Sequence, residues 1–343
     1  MRPQSMEDVL ALLDSCFTAA AVGAAMELGL FWILEEAPLD APSVAGKLGI
    51  PGNRCRYWLG LLAKAGLLEE GEGGFALTKA ARTAIIGGYS KQTWALLAQE
   101  ARGRSPALRD LPYYLPLPVS AWAAQGLERP SFYKTMKENK EIARRFTRML
   151  YEIHGPFANH LAGRLDFSSA KRMMDLGGGS GVISFALLRK HDELVSTVVD
   201  MEPVCEAGRQ IAEEVGMSER VTYHAADFLS DELPGGFDVV VECDVDVYDE
   251  VVLGKVWRSL EKGGRFVIVD QLAPAVGVAP PARIHWAFDS SMDAPDFRYP
   301  TAEEVRAGLV DAGFTGVRVG PLAQAAGDLR FDQHWTLIDA RKP

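Results

Sequence analysis

The stretch Met173-Met174-Asp175-Leu176-Gly177-Gly178-Gly179-Ser180-Gly181 constrains this chain more than any other. An apolar run meets an acid, glycines cluster behind it, and a helical pattern from Val182 to Leu188 begins at once. A strand, a tight turn and a helix N-terminus satisfy that order. Glycines in such a turn let a ligand lie against the backbone, because no Cβ stands in the way. A second apolar run, Val195 to Val199, ends in Asp200, where a carboxylate suits ribose hydroxyls. A third run ends in His224-Ala225-Ala226-Asp227-Phe228. Its acid can accept from an exocyclic amine and its aromatic can cover a purine face. Asp175, Asp200 and Asp227 all fall on the carboxyl edge of a sheet, where open α/β folds bind ligands. The spacing points to a nucleoside-containing cofactor, although the loop does not follow the G-x-G-x-x-G register of dinucleotide enzymes.

From residue 166 to 343 strand and helix patterns alternate, which predicts a doubly wound, Rossmann-like α/β domain. Expected strands are Arg172 to Asp175, Ser196 to Asp200, Val221 to Ala225, Phe237 to Val241 and Arg265 to Asp270, with Val317 to Val319 and Trp335 to Asp339 as a terminal pair. Residues 1 to 90 read differently. Apolar residues recur at helical spacing from 7 to 36. A short helix opened by Asp40 and Pro42 closes at Gly49, and a second runs from about Asn53 to Ala65. Two short strands then flank a glycine turn, Gly66 to Glu70 and Gly74 to Thr78. Helix, helix, hairpin is a winged-helix pattern. Its second helix is too apolar to track phosphates, so packing or dimerisation is its expected role. Residues 91 to 165 read as a mostly helical connector or lid, broken by Leu111-Pro112-Tyr113-Tyr114-Leu115-Pro116-Leu117-Pro118.

A net charge of −10 argues against a nucleic-acid or anionic-membrane partner. No unbroken apolar window reaches the roughly 20 residues of a membrane span. The N-terminus lacks a signal-peptide layout, so a cytoplasmic location is expected. Cys16, Cys55, Cys205 and Cys243 are scattered with no metal-type pairing. The apolar face of the N-terminal helices predicts a homodimer.

With those motifs in place, the chain resembles the class I S-adenosylmethionine-dependent methyltransferases. More narrowly, it is similar to small-molecule O-methyltransferases that carry an N-terminal winged-helix dimerisation domain. The residues carrying the resemblance are Asp175 to Gly181, Asp200, Asp227-Phe228, Pro234-Gly235-Gly236-Phe237-Asp238, Leu260-Glu261-Lys262-Gly263-Gly264-Arg265 and Ala312-Gly313-Phe314. The resemblance implies S-adenosyl-L-methionine as cofactor. It places Gly177 and Gly179 beside the methionine part, Asp200 on the ribose, and Asp227 with Phe228 at the adenine. Asp175, Gly178, Met201, Cys243 and Met149 complete the expected cofactor set.

The pattern breaks at the acceptor site. Enzymes of this family carry a general-base histidine after the fourth strand, before an acid-rich turn. Here Val241-Glu242-Cys243-Asp244-Val245-Asp246-Val247-Tyr248-Asp249-Glu250 puts Val245 or Val247 at that place, and no histidine lies between His224 and His285. Asp246 and Asp244 are the nearest alternative bases, and His285 or His154 can enter from other elements. His285 and Asp289 stand i, i+4 on one expected helix face. Alternatively, alignment alone drives transfer, or transfer is lost and a cofactor-binding regulator remains. Glu242, Asp244 and Asp246 alternate and would converge in an extended segment, which suits a hard cation, yet a solvated loop exit is the preferred reading and no metal is assigned. His154, Trp286, Asp289, Met292 and Tyr299 are the expected acceptor-lining residues. The reading is methyl transfer to a small aromatic or conjugated acceptor, with oxygen favoured over carbon.

Overall fold

The computed structural model describes residues 2–129, 131–322 and 335–343. They form two compact units, Met1–Leu108 and Arg109–Pro343.

The first unit opens with helix Met6–Leu28, capped by Ser5 and Asp8 in a capping box and ended by Gly29 in the left-handed region. Helices Leu30–Glu36, Ala41–Leu48 and Gly52–Lys64 follow, then the antiparallel hairpin β1 (Leu68–Gly71) and β2 (Gly74–Leu77). Asp40 caps the third helix by accepting from the Ser43 N–H at 2.8 Å. Leu39 bridges Phe75 on the outer side of the hairpin. That approach explains Gly74: its φ is +101° and a Cβ there would lie 2.4 Å from the Leu39 carbonyl carbon. Leu30, Phe31, Leu34, Val44, Leu59, Leu62 and Phe75 form the core. The unit runs to Leu108 rather than residue 90. Helix Lys91–Gly103 belongs to it because the Trp94 indole donates to the Ile85 carbonyl at 3.0 Å and Arg102 grips Glu27 through two hydrogen bonds. Helix Met6–Leu28 is long and apolar enough to cross a membrane by length and composition, contrary to the expectation from unbroken runs, and little of it is buried.

The second unit is built on β3 (Arg172–Leu176), β4 (Val195–Asp200), β5 (Val221–Ala225), β6 (Phe237–Cys243), β7 (Leu260–Asp270), β8 (Thr315–Pro321) and β9 (Thr336–Arg341). Their spatial order is β5-β4-β3-β6-β7-β9-β8. The first five are parallel, and β9 lies antiparallel between β7 and β8. Successive side chains alternate between faces, so Met173 enters one core and Met174 the other. Helices Lys140–Arg164, Val182–Lys190 and Glu202–Glu214 supply the first core, Glu250–Ser259 and Ala302–Asp311 the second. The sheet is thus a doubly wound, Rossmann-like one. Strand order reverses between β3 and β6, which opens a crevice at their carboxyl ends.

Phe185 is fully buried and meets the Tyr151 ring edge-on. Phe185→Ala is expected to cost about 3–5 kcal/mol in urea unfolding followed by circular dichroism; a loss under about 1 kcal/mol would contradict this packing.

Candidate active site

The turn after β3 is held from below by a buried acid. Asp175 accepts from the Ser184 hydroxyl at 2.6 Å and from the Ser184 N–H at 3.3 Å, which ties the strand end to the next helix. Burial pushes its carboxyl up to about 6, against those hydrogen bonds. Gly177 has a φ of +66°, and a Cβ there would lie 2.7 Å from a Val245 methyl carbon. At the end of β4, Asp200 accepts from the Gly179 N–H at 3.0 Å and from the Met201 N–H at 2.7 Å. Burial lifts it to about 6 as well. Each of its oxygens retains a lone pair for a ligand hydroxyl.

These groups border a cavity of about 360 Å³ within the second unit. Asp175, Gly177, Gly178, Gly179, Asp200, Met201, Phe228 and Cys243 line it, as does His154. Burial and the neighbouring Glu242 raise the Cys243 thiol, so it stays protonated. Two of the expected cofactor residues lie off the cavity. Asp227 is spent on the Leu229 N–H at 3.2 Å, with Lys137 at 3.9 Å. Met149 is buried on another face of its helix, while Thr147, Leu150 and His154 share the cavity face at helical spacing. The Thr147 hydroxyl is buried there without a hydrogen-bond partner among the described residues. An orphaned hydroxyl, a turn with no room for a Cβ and a hydroxyl-accepting acid together fit a polar ligand with a ribose.

Beyond β6 the backbone does not stay extended. Asp244 and Asp246 both adopt left-handed conformations, with φ of 62° and 61°, which non-glycine residues adopt uncommonly. The expected alignment of Glu242 with them is therefore broken. Glu242 turns inward and accepts from the Val245 N–H at 2.9 Å. The acids that converge are Asp244, Asp246 and Asp270 at the end of β7, their oxygens within 4.8 Å of one another. A cation already sits among them: Arg283 pairs with Asp244, reaches Asp246 at 2.7 Å and stands 3.7 Å from Asp270. The Tyr248 hydroxyl donates to Asp270 at 2.5 Å. Burial, then repulsion from Asp270, raises Glu242 and Asp246, and burial raises Asp270.

The remaining expectations fare unevenly. Val245 lines the cavity, whereas Val247 packs into the second core. His285 is exposed and does not pair with Asp289. Asp289 instead receives the Arg129 guanidinium at 2.6 Å, and Asp293 holds Arg129 and Ser120 beside it. These ties turn Asp289 and Met292 away from the cavity; Tyr299 is buried under Arg283, and Trp286 is exposed. Instead Tyr133, Met136, Phe146, Leu150 and Ile183 supply the apolar wall. Arg283 and Asp270 were not singled out from the sequence. Asp270 obeys the same strand-end rule as Asp175, and Arg283 is an isolated cation in the apolar stretch 272–288, opposite an acid run.

A family model described as the O-methyltransferase domain matches residues 122–315. The chain is 31% identical over 255 residues to the 3-hydroxy-5-methyl-1-naphthoate 3-O-methyltransferase of Streptomyces sahachiroi, covering 73% of this chain and 72% of that protein. It is 27% identical to the N,N-dimethyltransferase OxyT of Streptomyces rimosus, covering 98% and 96%. Among solved structures, PigF with SAH superposes with a TM-score of 0.82 at 20% identity, covering 99% of this chain and all of that one.

Asp200 carries a pH signature. Its folded value of about 6 lies above the ordinary 3.8. The native state therefore binds protons more tightly than the unfolded chain between those values, and the carboxylate opposes folding above both. Asp200→Asn is expected to abolish S-adenosylhomocysteine binding in calorimetry, yet leave the ligand-free protein at least as stable as wild type at pH 8. A destabilisation beyond about 1 kcal/mol in urea would refute the assignment of a strained acid.

Proposed function

The chain belongs to the O-methyltransferase domain family and is an S-adenosyl-L-methionine-dependent methyltransferase, and from that premise we propose that it methylates a hydroxyl on a small aromatic or conjugated acceptor. The observation that carries this reading is the cavity at the β3–β6 crevice: a polar floor of Asp200 and the glycine turn faces an apolar wall of Tyr133, Met136, Phe146 and Leu150. Such a pocket suits a flat, mostly apolar molecule held beside a polar cofactor. The relative from Streptomyces sahachiroi, by its name, acts on a hydroxyl of a naphthoate.

Under this reading Asp200 grips the ribose, and the Gly177 to Gly179 backbone lies along the methionine part. Phe228 packs at the base, and Thr147 offers its free hydroxyl. The bound cofactor supplies an electrophilic methyl group on a sulfonium. The chain's own contribution is alignment and exclusion of water. The apolar wall orients the acceptor ring, and Val245 closes the space over Gly177.

Purified protein is expected to bind S-adenosylhomocysteine at micromolar affinity and to methylate members of a panel of phenols and naphthols, read by mass spectrometry. Methylation of matched anilines alone would move the acceptor atom to nitrogen, and no product from any acceptor would sink the reading.

The first unit presents Met6, Val9, Leu13 and Phe17 exposed along one helix. Burial of that stripe against a second copy is the role proposed for it. Sedimentation is expected to give a dimer at micromolar concentration, and a monomer there would contradict the proposal.

A further inference from the structure

Methylation of a neutral hydroxyl releases a proton, and the segment after β6 offers the cavity Val245 and an Asp244 already paired with Arg283. We propose that His154, on helix Lys140–Arg164, is the general base, taking the acceptor proton on Nε2. The inference rests on the hydroxyl-methylation reading above.

Four observations support it. His154 lines the cavity on the same helix face as Thr147 and Leu150. Its Nδ1 lies 3.0 Å from the Leu150 carbonyl oxygen, and a carbonyl can only accept, so Nδ1 carries the hydrogen. In the neutral ring the lone pair is then on Nε2. That nitrogen stands 3.7 Å from the Asp244 carboxylate, too far for a hydrogen bond at rest but close enough to stabilise an imidazolium once formed. Asp244 is fixed by its left-handed backbone and by Arg283, which also holds Asp246 and Asp270 behind it. Asp244 and Arg283 are thus the charged groups facing the ring. Burial, with a smaller push from Arg283, keeps the imidazole below its ordinary range and therefore neutral at pH 7. Of the other bases raised by the sequence, His285 is exposed, and Asp244 and Asp246 are paired with Arg283.

The balance closes. The acceptor O–H bond breaks and its proton passes to Nε2. The oxygen pair forms the new bond to the methyl carbon as the carbon–sulfur bond breaks, and that bond's electrons stay on sulfur. The imidazolium then loses its proton to water along its partly exposed edge, with Asp244 holding the charge meanwhile. Asp244 acts through His154 and is a positioning residue.

Two experiments test this. The first uses the ligand-free protein: nitrogen-15 NMR of the histidine rings, with His154→Gln to assign the signal. The expected result is an Nδ1–H tautomer with a pKa below 6.5 that rises in Arg283→Gln; an Nε2–H tautomer overturns the proposal. The second measures methyl transfer to phenols of graded acidity. His154→Gln is expected to lose about 100-fold or more on weakly acidic phenols, with little loss on a nitrophenol already ionised at pH 8, and to bind S-adenosylhomocysteine as wild type does. Asp244→Asn is expected to show the same acidity dependence in weaker form. If wild type methylates phenols and His154→Gln matches it across the series, His154 is not the base while the hydroxyl reading stands. If wild type methylates no hydroxyl, that reading falls, and the tautomer still decides whether Nε2 offers a lone pair.

Discussion

Asp175 is the constraint on which the carboxyl edge of the sheet depends. A carboxylate in a dry interior is costly, and this one is kept there by Ser184. The contact joins the end of β3 to the helix that follows and so fixes the path of the glycines between them. A Cβ on Gly178 would lie 2.5 Å from the Asp175 carboxyl carbon, so the turn can pass over the acid only as glycine. With that turn set, Gly179 is in place to donate to Asp200, and the acid at the end of β4 is aimed by the same stroke. Strand end, turn and the helix Val182–Lys190 are one mechanical unit.

The opposite wall obeys a different rule. Asp244, Asp246 and Asp270 gather around the Arg283 guanidinium, with Glu242 buried nearby on the Val245 N–H and the Tyr248 hydroxyl, more acid than one cation can neutralise. Burial and mutual repulsion raise Glu242 and Asp246, burial raises Asp270, and the Tyr248 hydroxyl donates to Asp270. The left-handed backbone at Asp244 and Asp246 is what turns both side chains toward Arg283. Of this wall Asp244 reaches the cavity, beside His154, whose imidazole burial keeps below its ordinary range.

Local signals carried the legible part of this protein. The glycine turn, the strands and the cavity positions of Asp200 and Phe228 were readable because a strand end, a turn and a helix start lie within a few residues of each other. The caps at Asp40 and Gly49 were readable for the same reason. What escaped depended on distance or on rotation. Arg283 and Asp270 meet Asp244 only because β6 and β7 are neighbours, a fact of topology. Met149 and Thr147 differ by two positions on one helix, and the sequence did not tell which face turns inward. The 286–299 segment has the right composition for an acceptor wall, but Arg129 captures Asp289 and Asp293 and holds its helix elsewhere. Composition named the kind of residue, and one distant arginine decided its address.

The place of β9 bears on how the second unit assembles. The wing β3-β4-β5 adds strands in chain order, each finding a finished neighbour. The other wing does not: β8 precedes β9 in the chain but lies outside it, and among the described residues its strand partner is β9. Until Thr336–Arg341 arrives, β7 has an uncovered edge and β8 has nothing to pair with. The wing is completed by placing Thr336–Arg341 between β7 and β8 rather than by growth at its rim, and pairing of that kind, distant in sequence from β7, is slow. During that interval the open side of β7, rich in valine and isoleucine, is the surface most prone to pair with another chain.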